Sequence, residues 1–216
     1  MESSENPYAA PQVEVAASGE WLRSNAEGLS KTAIGLSLMY YGIILLLLWT
    51  ILTIPMMFLG AAIRFPLGAG MIIASIMMFV GPVLCLSVPP ETGAKGLAAL
   101  SVVFQLIRVI VEFLPFVGIA PNIVPGLAQA AGILSSVLFV VFLRKLAQFI
   151  HRDDLTKRAN NVLMMAVIAI ALALGSVVGI GPLPGLILIG VGILALVLFV
   201  MYANLINALR KAIKTE

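Results

Sequence analysis

From residue 33 onward the chain is a succession of long apolar stretches separated by short polar or Pro/Gly-rich connections. The stretches fall at 33–59, 66–88, 97–117, 126–149, 160–179 and 186–208. Each is about 20 residues or longer, the length an α-helix needs to cross a hydrocarbon core of about 30 Å. Polarity does not alternate along them as it would in barrel strands, and in lipid every backbone amide must be satisfied within the protein. The pattern therefore predicts an all-α fold: a polytopic integral membrane protein with six transmembrane helices paired as three helical hairpins. The hairpin turns RFPLG, APNIVPG and GPLPG are short and rich in Pro and Gly, whereas the connections between hairpins are longer and charged.

Composition agrees with this reading. With 61% hydrophobic and only 11% charged residues, the chain lacks the polar side chains that would cover a soluble globule. The opening MESSENPYAAPQVEVAASGE carries four Glu and two Pro and neither Lys nor Arg, which predicts a disordered acidic tail over 1–20 and no cleaved signal peptide. Residues 21–32, with Trp21-Leu22-Arg23, read as an interfacial segment, 33–209 as the membrane domain, and 210–216 as a short basic tail. Cys85 is the single cysteine and His151 the single histidine, so the sequence suggests neither a disulfide nor a metal site. It shows no nucleophile with a base and no glycine-rich phosphate loop, and its net charge of +3 sits beside helix ends. We therefore expect no enzyme activity, no cofactor and no nucleic-acid partner.

Charge sets the expected orientation. Arg23, Lys31, Lys95, Arg144, Lys145, Arg152, Lys157, Arg158, Arg210, Lys211 and Lys214 all fall on one side of the predicted membrane, against Arg64 alone on the other. Short loops with this asymmetry follow the positive-inside rule, which places both termini in the cytoplasm and the protein in a cell inner membrane. The loop SVPPETGAKG at 87–96 contains most of a cell-wall sorting motif, but this orientation puts it on the cytoplasmic side, away from sortases. Pro89 and Pro90 then end the second helix, and Thr92 or Gly93 supplies a turn.

The stretches NPYAAP (6–11) and CLSVPPETGAKG (85–96) resemble a group of uncharacterised bacterial multi-spanning membrane proteins that share an acidic NPY-type tail and this Pro-Pro-Glu-Thr-Gly loop. The resemblance implies a bacterial membrane protein and brings no activity with it. Pro89, Pro90, Glu91, Thr92 and Lys95 form a candidate partner loop.

An internal similarity links AGILSSVLFV (131–140) to VGILALVLFV (191–200), with seven of ten positions identical, and a Phe-Val pair recurs at 79, 139 and 199. Repeats of two spans each would run parallel, unlike the inverted repeats of many carriers. Whether the similarity is a duplication stays open.

Candidate chemistry is concentrated in the third stretch. Ser101, Gln105, Arg108 and Glu112 are spaced to share one helical stripe, and ionisable groups inside a membrane are candidate sites for an ion, a proton or a polar substrate. The alternative is a structural ion pair, with Arg108 near enough to the outer boundary to snorkel. Ala171, Gly175 and Gly179 form a small-residue stripe suited to helix packing within the chain or between copies. Ser135, Ser136, Asn204 and Asn207 read as interhelical hydrogen-bonding groups, and Pro55 and Pro82 as kinks. The segment 143–161 mixes apolar residues with Arg144, Lys145, Arg152, Lys157 and Arg158, as a helix end lying along anionic lipid headgroups would. Asp153-Asp154 fits the cap of the fifth helix. Two functions follow as expectations: a membrane structural or accessory protein acting through helix packing and partner binding, or a small channel or transporter routed along the third span.

Overall fold

The computed structural model describes residues 26–56, 64–114, 124–177 and 184–215. Among these residues the chain contains helices and turns and no strand. The helices are α1 (Ala26–Met56), α2 (Arg64–Cys85), α3 (Lys95–Phe113), α4 (Val124–Phe149), α5 (Asp153–Val177) and α6 (Pro184–Thr215), with a 3-10 turn at Pro90–Thr92. Each apolar stretch of the sequence corresponds to one helix, but several ends differ. Helix α1 begins at Ala26 and absorbs most of the expected interfacial segment, because Lys31 Nζ donates to Glu27 Oε1 at 2.8 Å and Leu29 and Thr32 are buried. Helix α6 continues to Thr215, so most of the expected basic tail is helical, with Leu209 and Ala212 holding that end in the core. The tail 1–20, with Trp21 and Arg23, lies outside the described residues.

Among the described residues four helices are long and apolar enough to cross a membrane: Ala26–Leu52, Gly126–Phe149, Asp153–Leu174 and Gly192–Ile213. In α2 the apolar part within the described residues is the shorter Ile72–Cys85. Helix α3 carries Lys95, Arg108 and Glu112 within its 19 residues. The protein is thus a helical bundle of membrane type, with large apolar side chains such as Ile72, Ile110, Val167 and Ile193 exposed along its length. Water does not tolerate so extensive an apolar surface.

The closest helix pair, α1 with α2, is built on glycine. Gly28, Gly35 and Gly42 recur every seven residues, which keeps them on one face of α1. A Cβ on Gly28 would lie 2.6 Å from the Ser87 carbonyl oxygen, and one on Gly35 would lie 2.6 Å from that of Gly81. Seven residues further along the same face the fit reverses, with bulky Trp49 of α1 filling the space over Gly70 of α2. Small residues facing backbone in this way bring two helices together where lipid removes the hydrophobic drive between them. Helix α3 pairs similarly with α4, and α5 and α6 pack on each other and around these two pairs.

Among the described residues, burial is concentrated at one end. The core contains Leu36 and Met39 from the first half of α1, Cys85 from the end of α2 and Ala98 from the start of α3. Phe142 and Leu146 come from the second half of α4, Leu155 from the start of α5, and Leu209 from the end of α6. Lys31, Lys95, the 144–158 cluster and Lys211 all border this end, so the basic segments gather there.

Two turns close the packed end. Val88 and Pro89 are buried against the start of α1, Thr92 Oγ1 donates to the Pro89 carbonyl at 2.8 Å and accepts from the Ala94 amide at 3.1 Å, and Gly93 adopts φ +60°. The α4–α5 turn has its left-handed residue at His151, φ 52°. There the His151 amide donates to Gln148 and the Arg152 amide to Ala147, the paired bonds of a Schellman helix end. The segment 143–161 is therefore a helix, a tight turn and a second helix. Leu143, Leu146, Ala147, Ile150 and Leu155 bury against the other helices, so the apolar side of this segment faces the bundle core while Lys145, Arg152, Lys157 and Arg158 stay exposed. Asp153 and Asp154 occupy the first turn of α5, with Arg152 just before them at the cap position, and Asp154 is paired to Arg152 at 3.0 Å.

Candidate functional site

The polar stripe of α3 is held in place by two different devices. At the end nearer the packed core Ser101 is 1% exposed and faces Ser135 of α4. Each serine hydroxyl donates to the other's backbone carbonyl at 2.9 Å, a reciprocal pair that ties the two helices at one height. One turn on, Gln105 Nε2 donates to the Met78 carbonyl of α2 at 3.3 Å. The reason lies in α2. Pro82 stands four residues after Met78 and has no N–H to offer its carbonyl. Gln105 supplies the missing donor from a neighbouring helix, and α2 remains one helix through Pro82.

Arg108 and Glu112 complete the stripe. Arg108 Nε donates to Glu112 Oε1 at 2.7 Å, and the two side chains are 51% and 47% exposed. The guanidinium arm lies over Gly132 of α4, where a Cβ would come 3.1 Å from Arg108 Cδ. Ser101, Gln105 and Arg108 all line one cavity of about 70 Å³. Helix α4 contributes Gly132, Ser135 and Ser136 to it, α6 contributes Tyr202, and Met39, Met78 and Pro82 close it from α1 and α2. The cavity sits above the packed core, and Arg108, half exposed, marks its mouth.

The other sequence-derived candidates are dispersed. Ser136 donates within its own helix, to Gly132 at 2.9 Å. Asn207 accepts from Arg210 Nε at 2.8 Å in the same helix, and Asn204 is exposed. Arg210 itself stacks over Tyr40 and Tyr41 of α1, 4.2 and 4.9 Å from their ring centres, pinning α6 to α1. Ala171 is exposed, while the surroundings of Gly175 and all of Gly179 lie outside what is described. The surroundings of Pro55 are likewise not described. Of the partner loop, Pro90, Glu91 and Lys95 are exposed, whereas Pro89 and Thr92 are buried. Lys145, Arg152, Lys157 and Arg158 are exposed near the turn. Arg144 is half buried, its Nε without a hydrogen-bond partner among the described residues. Among the described residues no group of His, Cys, Asp and Glu is arranged to hold a metal ion.

Sequence reasoning missed the Gly28, Gly35, Gly42 seam, although its seven-residue spacing is visible once glycines are indexed along α1. It also missed Tyr202 and Gly132 as walls of the cavity, for which no local signal exists. Compared with protein-family models, with curated proteins and with solved structures, the chain matches none.

Proposed function

We propose that this chain is a membrane structural or accessory protein, with six spans in three hairpins and both termini on the cytoplasmic side of a bacterial inner membrane. It acts through helix packing and partner binding. The observation that carries this reading is that the polar groups inside the bundle are engaged between helices: Ser101 with Ser135, and Gln105 with Met78. By helical rise α2 and α3 are about 33 and 28 Å long, enough to cross the hydrocarbon alongside the four longer helices. The gathering of basic segments at one end supports the orientation. The exposed Pro90, Glu91 and Lys95 offer a docking point there, flanked by basic side chains suited to anionic headgroups. The likeness of residues 6–11 and 85–96 to bacterial multi-spanning proteins fits the same picture.

A second reading, a small channel or transporter, draws on the cavity lined by Ser101, Gln105 and Arg108. Reconstitution separates the two. The accessory reading expects liposomes containing the protein to pass ions no faster than empty ones. It also expects Arg108→Leu and Glu112→Leu each to lower thermal stability, with the double variant recovering it. Ion flux that vanishes in Glu112→Gln while folding persists would replace this reading with transport.

A further inference from the structure

We infer that the basic surface at the packed end of the bundle, carried by Arg144 and Lys145 of α4 and Lys157 and Arg158 of α5, binds the chain's own acidic segment 1–20. The inference goes beyond the accessory reading and does not depend on it.

Charge comes first. Residues 1–20 carry Glu2, Glu5, Glu14 and Glu20, and Arg23 is the one cation before Ala26. Around the two turns of the packed end, Arg152 is committed to Asp154 at 3.0 Å. Among the described residues no ion pair engages Lys95, Arg144, Lys145, Lys157 or Arg158. Glu91 and Asp153 are the carboxylates left beside these five cations, so positive charge is in excess there. Arg144 is half buried with its Nε shielded from solvent and without a hydrogen-bond partner among the described residues. A cation partly removed from water attracts a carboxylate more strongly than a fully hydrated one.

The helices set these cations side by side. Arg144 and Lys145 stand five and four residues before Phe149, and Lys157 and Arg158 four and five residues after Asp153. On two helices joined by a tight turn, those counts put all four at one height, about 6–8 Å from the turn. Leu143 and Leu146 of α4 and Leu155 and Ala159 of α5 are buried, so Lys145, Lys157 and Arg158 point away from the core.

Attachment brings the acidic segment to this surface. Helix α1 begins at Ala26, and Gly28 lies against the Ser87 carbonyl and the Pro89 ring. The Pro90–Thr92 turn that follows packs on α4. Glu20 and Glu14 stand 6 and 12 residues before Ala26. Chain of those lengths spans up to about 20 and 40 Å, against about 10 Å for the width of one helix. Exposed ion pairs are individually weak and screened by salt. A segment tethered this close to its target is, however, present at an effective concentration on the order of millimolar, so a few weak pairs suffice to hold it.

The test uses the full chain, one copy per phosphatidylcholine nanodisc, with spin labels on Ser18→Cys and Gln148→Cys. Gln148 is exposed near Lys145, and the native Cys85 is buried and stays unlabelled. Pulsed electron resonance reads the distance between the labels. We expect a narrow, short distribution at about 0.01 M salt and one at least twofold wider at about 1 M, where the Debye length has fallen from about 30 to about 3 Å. Glu2→Gln, Glu5→Gln, Glu14→Gln and Glu20→Gln together should give the wide distribution at low salt. Lys145→Glu, Lys157→Glu and Arg158→Glu together should do the same, and adding Glu14→Lys and Glu20→Lys to that variant should narrow it again. A wide distribution at low salt in the chain with its native charges, or a narrow one that neither salt nor either set of charge changes alters, overturns the inference. So does loss of the narrow distribution when phosphatidylglycerol replaces a third of the lipid, an outcome that assigns the surface to lipid headgroups. None of these outcomes bears on flux, so the accessory reading stands or falls separately.

Discussion

At Met78 a single missing hydrogen has a consequence in a neighbouring helix. Pro82 leaves that carbonyl without its helical donor. Gln105 is therefore more than a polar side chain tolerated in an apolar helix, because it completes the hydrogen bonding of α2. Replacing it with leucine should cost about 0.5–2 kcal/mol, the range for interhelical hydrogen bonds in membranes. In a Pro82→Ala background the same replacement should cost far less, since alanine would return a backbone amide to the Met78 carbonyl. Unfolding in mixed micelles, run as a double-mutant cycle, measures this, and equal costs in the two backgrounds would remove the explanation. Half of this arrangement was legible in the sequence. Pro82 implies a stranded carbonyl at Met78 by the i−4 rule, and Gln105 stood out as polar. Their meeting, across 27 positions, depends on how α2 and α3 pack, which no local pattern encodes.

Among the elements, α1 and α2 show most directly how spacing becomes contact. Glycines at 28, 35 and 42 repeat at the interval that keeps one face toward a partner, and the partner's atoms occupy the space their side chains would need. Gly35→Leu should accordingly destabilise the bundle by about 3 kcal/mol or more, since the Gly81 backbone cannot yield as a side chain would. Gly96 of α3 is the internal comparison: a Cβ there meets nothing within 4 Å. Gly96→Ala should leave stability unchanged or raise it by up to about 1 kcal/mol through helix propensity. Thermal unfolding of the two variants in one detergent checks the contrast. The same logic explains why helix number was legible and helix ends were not. Apolar runs report the length that suits hydrocarbon, whereas a helix continues as long as its hydrogen bonds and packing hold. So α1 starts at Ala26, ahead of its apolar run, held by the Glu27–Lys31 pair, and α6 outlasts its run because Leu209 and Ala212 are buried. The 143–161 segment is legible only in part for a related reason. Its amphipathic pattern is that of two helix ends facing a protein core, and periodicity alone does not distinguish core from lipid interior.

For the whole molecule, the buried cluster and the basic segments share one end, and the orientation proposed for that end is open to direct labelling. Glu91 is exposed, whereas Thr92 is only 8% exposed and Cys85 is fully buried, so Glu91→Cys is the informative site. In intact cells this cysteine should resist an impermeant thiol reagent and should react once the membrane is permeabilised; labelling in intact cells would invert the topology. Charge asymmetry made this end recognisable in the sequence, but the sequence did not show that it would also be the tightly packed end. The consequence is for how substitutions register: truncating Leu146 or Leu155, both buried among the described residues, acts on the same end that carries the basic segments.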